Sequence, residues 1–177
     1  MNSARPPESR GAQLRQAHLE DAPQFTALLQ EVAREMGALA RRAEEIDKAY
    51  LRAALKAAAT RGCALVIEAE GALLGSIFTY APEPALFHRC WSNTTLAVIP
   101  KAQGQGLGRR LMEGVLAAGR EATPPIDRLE LFVRASNVSA QGLYERLGFR
   151  QEGVLKQRLR TPEGALEDDQ LWAYYYP

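Results

Sequence analysis

Between Leu96 and Leu111 the chain runs an apolar strand into Pro100, sets Gly104, Gly106 and Gly108 at alternate positions, and then opens an amphipathic helix. No other stretch constrains the fold as much. A strand ended by proline and followed by a glycine-rich turn delivers a helix N-terminus to the end of a sheet. The first N–H groups of that helix have no intrahelical acceptor and carry partial positive charge. Phosphate binds readily at such a position. Glycines there let the backbone approach an anion with no Cβ in the way. Arg109 and Arg110 add positive charge beside it. The same residues also suit a merely tight turn, and taken alone the stretch leaves both readings open.

A second informative stretch begins about thirty residues later, from Asn137 to Phe149. Asn137 follows a strand and sits where a helix N-cap belongs. Tyr144 lies seven residues on, about two turns along the same face. Asn137 as a cap and Tyr144 as a core aromatic is one reading. A polar anchor and a phenol presented to a ligand is the other. Two familiar phosphate folds fit poorly. A P-loop needs lysine and then serine or threonine after its last glycine, and here Gly108 is followed by Arg109 and Arg110. A dinucleotide fold needs GxGxxG in an early βαβ unit. Here the spacing is GxGxG, past mid-chain and behind three strands.

Together the two stretches resemble the Gcn5-related N-acetyltransferase superfamily, whose members move an acetyl group from acetyl-coenzyme A to an amine. Its pyrophosphate pattern, Gln/Arg-x-x-Gly-x-Gly/Ala, is matched at Gln103, Gly106 and Gly108, after Leu96, Val98 and Pro100. Its helix pattern is matched at Asn137, Ala140, Leu143, Tyr144, Gly148 and Phe149. The resemblance covers roughly residues 12 to 177 and implies an α/β fold with a central mixed sheet of about seven strands and four helices. It implies that Leu96, Ala97 and Val98 line the pantetheine arm, Leu96 and Val98 through backbone groups. Gln103, Gly104, Gln105, Gly106, Leu107, Gly108 and Arg109 are then the pyrophosphate seat, Asn137 bonds the arm, and Tyr144 faces the sulfur.

The chemistry suits a tyrosine. When an amine attacks a thioester the sulfur leaves as a thiolate, and a phenol with pKa about 10 is still protonated at neutral pH and can donate to it. A backbone N–H on the Leu96–Val98 strand can polarise the acetyl carbonyl. No covalent enzyme intermediate is required, and neither cysteine falls in the cofactor motifs. Relatives often supply a base from the strand before the cradle, but Ser92-Asn93-Thr94-Thr95 carries no carboxylate. Glu83, His88, Glu35 or water remain as candidates. The acceptor is expected to be a small molecule or amino-acid-like amine. A non-catalytic acyl-CoA-binding module, or transfer of a different acyl group, are the alternatives.

The 177 residues carry 22 basic and 21 acidic side chains, so the formal net charge of 22 − 21 = +1 does not suggest nucleic acid or a membrane surface as a partner. The fraction of hydrophobic residues, 46%, is enough for a core. Cys63 and Cys90 form no CxxC or Cys/His cluster, so no metal is expected and both read as small partly buried apolar groups. Met1 to Gly11 reads as a flexible tail without the apolar core of a secretory signal, and residues 12–177 as one domain. No segment approaches the roughly 20 apolar residues of a membrane span. A cytoplasmic protein, dimeric through its last strands by family resemblance, is the expectation.

Periodicity supplies the element order β-α-α-β-β-β-α-β-α-β-β. A strand is expected near Gln13–Ala17. A helix opening at Glu20–Pro23 turns Phe25, Leu28, Leu29, Val32 and Met36 inward and stops at Gly37. A second helix is expected over Glu44–Thr60. Strands follow at Cys63–Ala69, Leu73–Tyr80 and Trp91–Ile99, with Glu70-Gly71 as a hairpin turn and Gly75 as a bulge or close approach. Then come a helix over Gly106–Glu121, a strand over Arg128–Arg134, a helix over Val138–Leu147, and two strands about a turn at Thr161–Gly164. Asp168 and Asp169 read as a solvated turn, with attraction of a cationic acceptor as the alternative. Trp172, Tyr174, Tyr175 and Tyr176 read as strand packing.

Overall fold

The computed structural model describes residues 11–36 and 39–177. Residues 1–10 of the tail expected over 1–11 and the helix stop at Gly37 lie outside the described residues, as does the side chain of Met36. Among the described residues there are eight strands, four α-helices and four short 3-10 turns. Strand β1 (Gln13–Gln16) leads into helix α1 (Ala22–Met36) and helix α2 (Lys48–Arg61). Strands β2 (Gly62–Ala69) and β3 (Ala72–Tyr80) form a hairpin whose turn residues Glu70 and Gly71 have φ of 51° and 77°. That is the left-handed pair a tight hairpin needs. Strands β4 (Cys90–Trp91) and β5 (Thr95–Val98) precede helix α3 (Leu107–Glu121). Strand β6 (Arg128–Arg134), helix α4 (Val138–Arg146) and strands β7 (Arg150–Arg160) and β8 (Leu166–Tyr175) complete the order.

The strands divide into two four-stranded sheets, β1-β2-β3-β5 and β4-β6-β8-β7. The division falls inside the segment expected as one strand over Trp91–Ile99, and that expectation is corrected. Trp91 pairs in parallel with Leu129, whereas Thr95 pairs antiparallel with Phe78. Between them the N–H groups of Ser92 and Asn93 both donate to the Tyr80 carbonyl, at 3.2 and 3.3 Å. This local loop ends one pairing and starts the other, so β5 and β6 diverge. The expected helix over Glu44–Thr60 is likewise two pieces, a short 3-10 turn at Ala43–Glu45 and then α2. Asp47 caps α2, its carboxylate accepting the Tyr50 N–H at 2.7 Å.

Leu73 to Thr79 are buried without alternation, which a strand shows when helices cover both faces. Helices α1 and α2 pack on β3, and so does α3. The inward stripes follow the periodicity: Phe25, Leu28, Leu29 and Val32 on α1, and Leu107, Leu111, Met112, Val115 and Leu116 on α3. A Cβ at Gly75 would lie 3.1 Å from Leu111 Cδ1 and 3.3 Å from the Ala97 carbonyl oxygen, which identifies the close approach expected there. Asp168 and Asp169 are not in a turn. Both belong to β8, and Asp169 is 6% exposed.

Candidate active site

The divergence of β5 from β6 opens a cleft of about 980 Å³. One wall is β5. Ile99 N–H donates to the Leu74 carbonyl at 3.0 Å, and the pairing continues without a bulge through Val98, Ala97, Leu96 and Thr95. Alternate residues of an antiparallel strand bond to the partner. Ala97 and Thr95 therefore face β3 with their backbone groups, whereas Leu96 and Val98 direct theirs into the cleft. The Val98 carbonyl already accepts the Gln103 Nε2 amide at 3.0 Å. Ala97 is a buried lining residue rather than a free backbone contact.

At one end of the cleft sits the N-terminus of α3. Gly104 and Gly106 have φ of 72° and 77°, a conformation L side chains rarely adopt, and a Cβ on either would meet nothing within 4 Å. Backbone curvature requires glycine there, and the same curvature leaves open space in front of the turn. The first helical bond is Arg110 N–H to the Gly106 carbonyl, at 3.1 Å. Gly104, Gly106, Leu107, Gly108 and Arg109 line the cleft. Arg109 ion-pairs with Glu113 one turn on, at 2.7 Å. Gly108 differs from the other two glycines: its φ is ordinary and a Cβ would meet Leu143 at 3.6 Å.

The facing wall is β6 and α4. Asn137 caps α4, its Oδ1 accepting the Ala140 N–H at 3.1 Å, so the capping role is real. Its Nδ2 amide makes no hydrogen bond to another described residue, and Asn137 lines the cleft. Tyr144 is 7% exposed, lines the cleft, and packs its ring 5.5 Å from that of Phe149. Its hydroxyl has no hydrogen-bond partner among the described residues. Burial pushes its pKa up to about 12, because the phenolate would lose its hydration. A buried phenol of this kind stays protonated and can donate into the cleft.

The other expected polar residues stand apart. Glu83, with a side chain 85% exposed, pairs loosely with Arg61 at 3.8 Å. His88 Nε2 lies 3.3 Å from the Glu83 carbonyl oxygen on the surface. Neither they nor Glu35 line the cleft. Residues not singled out from sequence do: Arg41, stacked 4.1 Å above the Tyr50 ring, and Glu130 and Arg158. Asp169 joins them. A faint signal existed for Asp169. The period-two series Glu167, Asp169, Leu171, Ala173 sets it on the sheet face that carries the buried Ala173. Cys63 and Cys90 are free, half-buried thiols raised to about 11 by burial, and neither lines the cleft.

The profile of the Acetyltransferase (GNAT) family matches residues 24–149. A mycothiol acetyltransferase of Beutenbergia cavernae is 38% identical over 90 residues, 51% of this chain and 28% of that protein. The chain thus spans little more than a quarter of the length of this relative. An acetyltransferase of the GNAT family from Streptococcus pneumoniae superposes with a TM-score of 0.85 at 22% identity, over 93% of this chain and 99% of that one. A phosphinothricin acetyltransferase from Sinorhizobium meliloti, solved with acetyl-CoA, superposes at 0.81 and 20% identity, over 93% of this chain and 88% of that one. At these identities the solved structures establish the fold.

Proposed function

The chain belongs to the Acetyltransferase (GNAT) family, and from that membership we propose that it transfers an acetyl group from acetyl-CoA to a primary amine of a small or amino-acid-like acceptor by direct attack. The observation that carries the reading is convergence. The free edge of β5, the open N-terminus of α3 and Tyr144, whose hydroxyl has no partner among the described residues, border one cleft.

Acetyl-CoA supplies the activated acetyl group and a sulfur leaving group. The residues present fit it. Backbone groups from Gln103 to Arg109 hold the pyrophosphate at the helix terminus. Leu96 offers N–H and C=O, and Val98 its N–H, to the amide-bearing arm as an added strand would meet them, and Asn137 Nδ2 reaches the arm from the other side. A β5 N–H polarises the acetyl carbonyl. Tyr144, held neutral by burial, gives its proton to the departing sulfur. Residues 12–177 act as one catalytic domain, in the cytoplasm where Cys63 and Cys90 stay reduced, and a homodimer is part of this reading.

Calorimetric titration with acetyl-CoA and with coenzyme A, followed by thiol release against a panel of amines, tests it. One-site binding and amine-dependent thiol are expected. Binding with no thiol from any amine would favour a non-catalytic acyl-CoA-binding module, for which the absence of a carboxylate in Ser92–Thr95 speaks. Propionyl-CoA and succinyl-CoA in the same assay establish donor choice.

A further inference from the structure

The acetyltransferase reading, on which this inference rests, needs a group that receives the acceptor's proton. Among the described residues the cleft is lined by two carboxylates, Glu130 and Asp169, and by no histidine. Glu130 is held by Arg128 Nε at 2.8 Å. Asp169 is differently placed. Its side chain is 8% exposed, and its one side-chain partner among the described residues is Arg158, whose Nη1 lies 3.3 Å from Oδ2, a long contact for a charged pair.

The backbone is distorted to create this arrangement. Leu155 pairs with Asp169 and Leu159 with Glu167, so β7 takes four steps where β8 takes two. Inside this bulge Gln157 has φ of 54°, a conformation uncommon for a residue other than glycine. Asp168 pins the bulge, accepting the Gln157 N–H and the Lys156 ammonium, both at 2.8 Å. The result turns Arg158 onto the Phe132 ring at 4.3 Å and against Asp169. Bulges that re-aim a side chain are over-represented beside active sites. Here two adjacent aspartates divide the work: Asp168 fixes the bulge, and Asp169 stands in the cleft wall with a guanidinium beside it. The Arg158 side chain is 45% exposed and can turn outward to leave a cationic vacancy against Asp169.

We propose that Asp169 is the carboxylate that receives the acceptor's ammonium group in place of Arg158 and takes its proton, so that the acceptors are aliphatic amines cationic at neutral pH. Charged groups face it from three strands: Arg158 of β7, Arg134 of β6, and Glu167 of its own β8. The arginines favour the carboxylate and Glu167 opposes it. Burial is the largest influence and moves Asp169 above the usual aspartate range, toward a better proton acceptor.

The step balances as follows. Asp169 takes one proton from R–NH3+, and the free amine forms the N–C bond as the C–S bond breaks. The sulfur takes the Tyr144 proton. The surplus nitrogen proton returns to Tyr144 through water, and the proton on Asp169 is released to solvent.

The test is kcat/KM against pH with acetyl-CoA and the aliphatic amine giving the fastest thiol release from a panel of 2-phenylethylamine, L-lysine, ethanolamine, glucosamine and aniline. In the unaltered protein a flat profile from neutrality to the amine's own pKa is expected. D169N should lose roughly 100- to 10,000-fold at pH 7, with acetyl-CoA affinity unchanged by calorimetry. Its residual rate should climb about tenfold per pH unit toward the amine pKa, because only the neutral fraction then reacts. R158M should keep the flat profile. A D169N profile as flat as the original overturns the proposal, as does R158M matching the D169N loss, or aniline proving the fastest acceptor. Should D169N not fold, an unaltered profile that itself rises tenfold per unit overturns it. Acetyl-CoA binding with no thiol from any amine sinks the acetyltransferase reading instead.

Discussion

The two ends of the cleft are built by different means. At the α3 end the contacts offered to a ligand are backbone groups, from Leu96, Val98 and the turn through Gly104 and Gly106. At the β7–β8 end the lining is side chains, Arg41, Arg158, Glu130 and Asp169, brought from the α1–α2 connection and three separate strands. Backbone recognition needs a local shape, and local shape needs particular residues at fixed spacing. Side-chain recognition needs only that the fold bring distant positions together. The first end is therefore suited to a constant ligand, and the second is free to vary with the acceptor.

Substitutions at the α3 turn and along α4 test this division from the side of the constant ligand. Tyr144→Phe is expected to lower turnover by about 100- to 10,000-fold while leaving coenzyme A affinity and melting temperature near those of the parent. Equal turnover in this variant would remove Tyr144 from the chemistry. Gly106→Asp places a carboxylate at the helix terminus where an anion should sit, and forces a side chain into a left-handed turn. On the order of 100-fold weaker coenzyme A binding is expected, from charge reversal at a helix N-terminus together with lost backbone fit. Calorimetry with full retention of affinity would mean that the turn is only structural.

A smaller effect follows from the pKa of Tyr144. It is raised in the folded state to about 12 from the ordinary 10. The folded protein therefore holds this proton more tightly, and the associated stability is fully present below pH 10 and lost as pH rises through 12. Chemical denaturation at pH 9, 10.5 and 12 should show that decline in the parent and a shallower one in Tyr144→Phe. Asn137 gives the smallest and sharpest comparison. Asn137→Ala removes the α4 cap and should cost about 1 kcal/mol of stability. Asn137→Ser restores the cap but not the amide, so its stability should recover while coenzyme A binding stays weakened.

Much of the α3 end was legible before the fold was known, because Pro100, the alternate glycines and the Asn137–Tyr144 spacing carry their geometry within a few residues. The helix stripes were legible for the same reason. What failed was pairing. Trp91 and Leu96 are both apolar strand residues, and nothing local says that one joins β6 and the other β3. The polar run Ser92-Asn93-Thr94 was the only hint of a break. Asp169 was misread because its neighbour Asp168 and the nearby Gly164 suggest a turn, whereas its burial depends on a bulge eleven residues earlier in another strand. Arg41 was missed because its position over Tyr50 depends on the path of the α1–α2 connection.

The free edge of β5 also bears on how the protein avoids sticking to itself. Exposed strand edges template pairing with other chains. Here the edge is only four residues long and is closed at both ends. Thr94 Oγ1 donates to the Glu130 carbonyl at 3.0 Å on one side, and Gln103 covers the Val98 carbonyl on the other. A slot this short, recessed between two sheets, can accept a slender arm but offers too little length to nucleate an intermolecular sheet, and the chain can keep an unfinished strand without the aggregation such edges invite.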